Sequence, residues 1–159
     1  MGLGLLPTHS RAYSAKTHKA LSDYSAGKYD DALKGFLDSQ IENPTDLTIK
    51  YNLANTYYKL GQFAESESLF QSVATSSDRD LAQKTQFNLG NTAYQQGKLM
   101  DSLKHYESAL QINPNDEKAK HNIEFVRNEM KRLLEEQKKR QQQQQGQNQK
   151  EGSSGDQSQ

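Results

Sequence analysis

Residues 83–116 read QKTQFNLGNTAYQQGKLMDSLKHYESALQINPND, and the spacing within this stretch decides the fold. Phe87, Leu89, Gly90, Ala93 and Tyr94 recur at helical intervals. After the turn Gln96-Gly97-Lys98, so do Leu99, Ser102, Leu103, Tyr106, Ala109, Leu110 and Ile112. Gly97 suits the left-handed position that closes a helix, and Pro114 cannot continue one, so both halves have physical stops. The stretch is a helical hairpin of the length expected of one solenoid repeat. One hairpin cannot bury its own apolar face, so copies are expected beside it.

Aligned on the inter-helix glycine, Gly27, Gly61 and Gly97 fall in register, 34 and 36 residues apart. Counting each repeat from fourteen residues before its glycine, small residues occupy positions 8, 20 and 27. They are Ala20, Ala32 and Ser39, then Ala54, Ser66 and Val73, then Gly90, Ser102 and Ala109. Large residues hold position 12 (Tyr24, Tyr58, Tyr94), position 17 (Tyr29, Phe63, Leu99) and position 24 (Phe36, Phe70, Tyr106). Small residues let helices approach to about 8–10 Å while the rings fill the remaining space. From about Tyr13 to Asp116 the chain resembles the tetratricopeptide repeat (TPR) family. It departs from the pattern in lacking Trp at position 4 and in having Asp78 where the second repeat would end in Pro. The expectation is an all-α solenoid of three repeats, at about 13–46, 47–80 and 83–116.

Composition agrees. Of 159 residues only 32% are hydrophobic, little for a closed globular core but enough for units that touch only their neighbours. Twenty basic residues balance twenty acidic ones, which argues against nucleic acid as a partner. Without cysteine there are no disulfides, thiolate metal sites or cysteine nucleophiles.

Met1 to Ala12 is a leader outside the repeats. Leu3 to Leu6 is too short to span a membrane, and the leader reads either as the stub of an export or anchor segment or as a structureless start. In the first repeat, Lys16, Lys19 and Asp23 give the first helix the polar face of a terminal unit, and the second helix, Asp30 to Glu42, is expected to bury Ala32, Leu33, Phe36, Leu37 and Ile41. Thr45 or Asp46 can cap the next inner helix. The outer helix of repeat two is expected over Phe63 to Thr75. The longer junction that follows places a cap at Ser77 or Asp78 and starts the third inner helix early, near Arg79. After Pro114, a helix capped by Asn115 or Asp116 is expected over 116–140. Its stripe of Ala119, Ile123, Val126, Met130 and Leu133 would cover repeat three. From Gln141 to Gln159 there is no apolar residue, so a disordered, glutamine-rich tail is expected.

Nothing in the sequence points to catalysis. His9, His18, His105 and His121 show no metal-ligand spacing, there is no phosphate loop or nucleophile elbow, and no cofactor is implied. In a TPR solenoid the first helices line a concave groove, chiefly through positions 2, 5, 6, 9, 12 and 13. That implies a partner-binding set of Tyr51, Asn52, Asn55, Tyr58, Lys84, Phe87, Asn88, Asn91 and Tyr94, with Lys118, His121 and Asn122, and also Phe125, from the last helix. Asparagine amides can bracket a peptide backbone, rings supply rigid contact, and lysines favour carboxylates. The bland reading is that Asn52 and Asn88 tie helices together and the tyrosines belong to the core.

Two functional resemblances can be weighed. Chaperone-binding TPR domains hold a carboxylate with Lys and Asn at positions 5 and 9, Asn at position 6 of the next repeat, and Lys and Arg at positions 2 and 6 of the third. Asn55, Asn88 and Lys118 fit, but Tyr51 and Asn122 replace the other two cations, so a co-chaperone adaptor is the alternative. The repeat region, the lengthened second junction, NPNDEKAKHNIEFV and the charged helix leading into glutamines are together similar to the TPR proteins of bacterial aerotolerance (Bat-type) operons. That resemblance implies a non-catalytic scaffold partnered with a von Willebrand factor A (VWA) domain membrane protein on the periplasmic side of the inner membrane, with a cytoplasmic location as the alternative. Membrane association would come only through the partner or a missing N-terminal segment. The chain itself is expected to be monomeric, with self-association open.

Overall fold

The computed structural model describes residues 14–154, with side chains to 145. Helices α1 (Ala15–Ser25), α3 (Leu47–Lys59), α5 (Arg79–Gln95) and α7 (Glu117–Ser154) alternate with α2 (Tyr29–Glu42), α4 (Phe63–Val73) and α6 (Leu99–Ile112). The first set is inner, the second outer. Residues 1–13 and 155–159, and with them the expected leader, lie outside the described residues.

Each inner helix starts on a side chain that the sequence supplies. Ser14 accepts from the Thr17 amide, Asp46 from Thr48 and Ile49, and Asp78 from Asp80 and Leu81. Asp116 accepts from Lys118 and Ala119. A carboxylate there satisfies two orphan N–H groups and faces the positive end of the helix dipole. The outer helices have no such caps, because glycine turns deliver the chain to them. Gly27, Gly61 and Gly97 sit at φ of 73–75°. Each glycine amide bonds the tyrosine carbonyl three residues back, and the following amide reaches five residues back. These paired bonds close the helix C-terminus, and only glycine takes that backbone conformation without strain.

All nine residues at positions 8, 20 and 27 are buried. Gly90 shows why smallness matters: a Cβ there would stand 2.5 Å from Tyr106 Cε1. Above these contacts Phe36, Phe70 and Tyr106 are fully enclosed, each burial contributing about 1.5–3 kcal/mol. Near the turns, Tyr24 meets Tyr29 edge-on at 5.3 Å and Tyr58 meets Phe63 at 5.4 Å. Polar clips join helices both between and within repeats. Glu67 takes Gln96 Nε2 and Lys98 Nζ, both at 2.9 Å, Arg79 Nη2 donates to the Ile112 carbonyl, and Lys16 pairs with Glu42.

Several expectations need correction. Leu37 and Ile41 are exposed, Ile41 at 79%; Leu37 lines an open groove with Leu53, Tyr57 and Leu69 instead of closing into the core. Helix α4 ends at Val73, not Thr75, since a turn closes there with the Ser76 amide on the Val73 carbonyl. On α7, Ala119, Ile123 and Val126 are buried and Met130 packs against the same cluster, but Leu133 is exposed. Helix α7 runs from Glu117 to Ser154. Glutamine is a good helix former, and extending an existing helix avoids the cost of nucleation.

Candidate interaction face

The asparagines of the inner helices meet in one hydrogen-bonded chain. Asn88 of α5 donates through Nδ2 to Tyr51 Oη and to Asn55 Oδ1 of α3, both at 2.9 Å. Its own Oδ1 accepts from Asn91 Nδ2 at 3.5 Å. Asn91 Oδ1 then accepts from Tyr106 Oη at 2.7 Å and from Asn122 Nδ2 of α7 at 3.4 Å. The chain therefore crosses α3, α5 and α7. All of its members are buried, none more than 5% exposed. Burial pushes the hydroxyls of Tyr51 and Tyr106 up to about 12, against a smaller pull from their amide and hydroxyl neighbours. The network is thus neutral at physiological pH. Two buried atoms at its α3 end, Asn52 Oδ1 and Asn55 Nδ2, lack a protein partner.

The sequence-derived set consequently divides. Tyr51, Asn52, Asn55, Asn88, Asn91 and Asn122 are a buried floor beneath the inner surface, not side chains that line it. The asparagines are buried because a short amide at positions 6 and 9 fits between adjacent inner helices, where Asn55, Asn88, Asn91 and Asn122 bond within one network. Asn88 ties α3 to α5, and Asn55 and Asn91 share the same network. Phe87 is half-buried against Tyr106, with ring centroids 5.6 Å apart. Lys84 is tied to Asp80 one helical turn back.

The accessible remainder is a strip of rings and one charged stripe. Tyr58 on α3 and Tyr94 on α5 are half-buried. Tyr94 meets Phe125 of α7 at 5.6 Å and 59°, and Phe125 is 44% exposed. Lys118, His121, Asn122 and Phe125 share one face of α7, at successive intervals of three, one and three residues. Of these, Lys118 and His121 are exposed and Asn122 is turned down into the amide chain. Nearby acids are already engaged: Asp80 with Lys84, Asp116 at its cap and with Gln83, Glu129 with Arg132. The Lys118 ammonium has no ion pair.

Sequence reasoning missed Tyr106 as a member of the network. The signal was present, since position 24 is Phe, Phe and then Tyr, and the one added hydroxyl is the group that reaches Asn91. Among the described residues, no group of three or more His, Cys, Asp or Glu is placed to hold a metal ion. No helix among them is long and apolar enough to cross a membrane.

Antiparallel helix pairs stacked through small-residue contacts, with capped inner helices facing one side, define a helical-repeat solenoid. Family models described as tetratricopeptide repeat match residues 47–77 and 84–116, and the chain carries tetratricopeptide repeats. No curated protein matches it. Among solved structures, the first TPR of Spaghetti (RPAP3) bound to the HSP90 peptide SRMEEVD is similar at a TM-score of 0.67 and 23% identity, covering 72% of this chain and 90% of that one. The second TPR domain of human RPAP3, in complex with the HSP70 peptide SGPTIEEVD, gives 0.64 at 17% identity, covering 71% and 92%. The Yersinia enterocolitica type III secretion chaperone SycD, in complex with a peptide of the translocator YopD, gives 0.65 at 17% identity, covering 72% and 92%. These likenesses establish a shared fold.

Proposed function

We propose that the protein is a non-catalytic interaction scaffold that binds a peptide segment of a partner protein on its inner face. The observation that carries this is the exposed Phe125 ring, tilted against Tyr94 on the same face of α7 as the unpaired Lys118. An accessible aromatic on a rigid helical surface is a hot spot for protein contact. The similar folds were solved with peptides of HSP90, HSP70 and YopD, which supports the same use of this architecture. An NMR titration with a heptapeptide library tests it: shifts confined to α3, α5 and the 117–129 part of α7 are expected, and shifts confined to α2, α4 and α6 would overturn it.

The finer reading, a VWA-domain membrane protein as partner and an envelope location, rests on the sequence resemblance to Bat-type proteins. Capture from membrane extract would recover a VWA protein that a Phe125→Ala variant loses. The co-chaperone alternative is disfavoured by neutral, buried Tyr51 and Asn122 at two of the three positions where a carboxylate clamp would carry cations.

A further inference from the structure

The composition of the inner face narrows the kind of segment it suits, an argument that rests on the inner-face reading above. A free C-terminal carboxylate needs converging cations, because desolvating it without them is costly. At the positions where such cations would stand, Tyr51 Oη accepts a bond from Asn88 at 2.9 Å. Asn122 spends its amide on Asn91, and both side chains are buried. Neither can turn towards a ligand without breaking the amide chain. Lys84 is engaged by Asp80. That leaves Lys118 as the unpaired cation on the exposed stripe, with the imidazole of His121 one turn on.

What the face does offer is apolar. Phe125 presents nearly half its surface, and Tyr94 backs it. Lys118 and Phe125 are seven residues apart on one helix, about 10 Å along its axis. An extended chain advances about 3.3 Å per residue, so it would span that distance in about three residues.

We infer that the partner segment is internal to its chain: it seats a bulky apolar side chain on the Tyr94–Phe125 pair, places an acidic residue about three positions away against Lys118, and needs no free C-terminus. The charge match is specific in sign, since an added carboxylate meets an unpaired ammonium.

The test uses the full chain and two kinds of probe. One is an N-acetylated, C-amidated nonapeptide pool with Phe, Leu or Trp at a fixed position and Glu three residues away, set against the same pool with Ala at the apolar position. The other is SRMEEVD as free acid and as amide. Fluorescence anisotropy gives affinities, and amide NMR shifts locate the site. The apolar pool should bind at least tenfold tighter than the Ala pool. Phe125→Ala should weaken it about tenfold and Lys118→Glu several-fold, with circular dichroism unchanged because both side chains are exposed. SRMEEVD should bind no better as acid than as amide. A tenfold preference for the free acid would overturn the inference while leaving the inner face as the binding surface. Equal binding of the two pools, or indifference to Phe125→Ala, would overturn it as well. If no probe shifts inner-face resonances, the binding face itself is wrongly placed and the inference goes with it.

Discussion

Removing Asn88 measures whether the amide chain is a structural floor. Its Nδ2 holds Tyr51 Oη and Asn55 Oδ1, each at 2.9 Å and each buried. Asn88→Ala leaves both oxygens without a donor, at about 1–3 kcal/mol for each orphaned group. The Asn91 contact at 3.5 Å is long and adds little. A water can enter the polar space vacated, which places the net loss in the lower part of the range, about 2–4 kcal/mol. Tyr51→Phe removes a single hydroxyl and leaves Asn88 bonded to Asn55, so its cost is about 1 kcal/mol. The informative quantity is the double variant. With Asn88 already gone, the Tyr51 hydroxyl is itself an orphan, and Tyr51→Phe becomes neutral or stabilising. Urea denaturation of the four proteins, followed by circular dichroism, gives the cycle, and a coupling of at least 1 kcal/mol is expected. Were Tyr51→Phe to cost the same in both backgrounds, the two groups would not be bonded and the floor would lose its central link.

Two further outcomes follow from contacts outside the network. Gly90→Ala ought to stabilise a helix by close to 1 kcal/mol on propensity alone. Here the new Cβ meets the enclosed Tyr106 ring at 2.5–2.9 Å, so a net loss of about 1–2 kcal/mol is expected, and a rise in melting temperature would refute the packing. Acid should weaken the fold in two stages. Burial lowers the His105 imidazole below its ordinary 6.5, so its neutral form contributes stability above that value that is lost as pH falls through the lowered one. Glu67 is held below its ordinary 4.5 by hydrogen bonds from Lys98 and Gln96, so its contribution is full above 4.5 and lost below it. Glu67→Gln should flatten the lower stage, and an unchanged denaturation profile between pH 4.5 and 3 would remove the clip between repeats two and three.

The architecture was legible because it depends on residue size at fixed intervals. Ala32, Ser66 and Ser102 are interchangeable where helices must approach closely, and all three are buried as their spacing requires. Caps were nearly as readable: of the pairs Thr45 or Asp46, Ser77 or Asp78, and Asn115 or Asp116, the structure takes the aspartate each time. Exposure at the margins was not legible. Ile41 sits on a regular apolar spacing, yet no helix packs over its side of α2.

The inner face was the hardest part to read, because asparagine serves equally as a ligand clamp and as a brace between helices. Spacing places Asn55, Asn88, Asn91 and Asn122 on the correct side of their helices but cannot say how deep they lie. Depth is fixed by the partners across the interface, and Tyr51 and Tyr106 supply hydroxyls at that level. Where the amides bond one another they are not free for a ligand's backbone; they fix the spacing of α3, α5 and α7 instead. A fixed spacing holds Tyr58, Tyr94 and Phe125 as a surface that need not be ordered when a partner arrives, which lowers the entropic cost of association. The residues that look most like a binding site therefore act one layer beneath it, and selectivity passes to the rings and to Lys118.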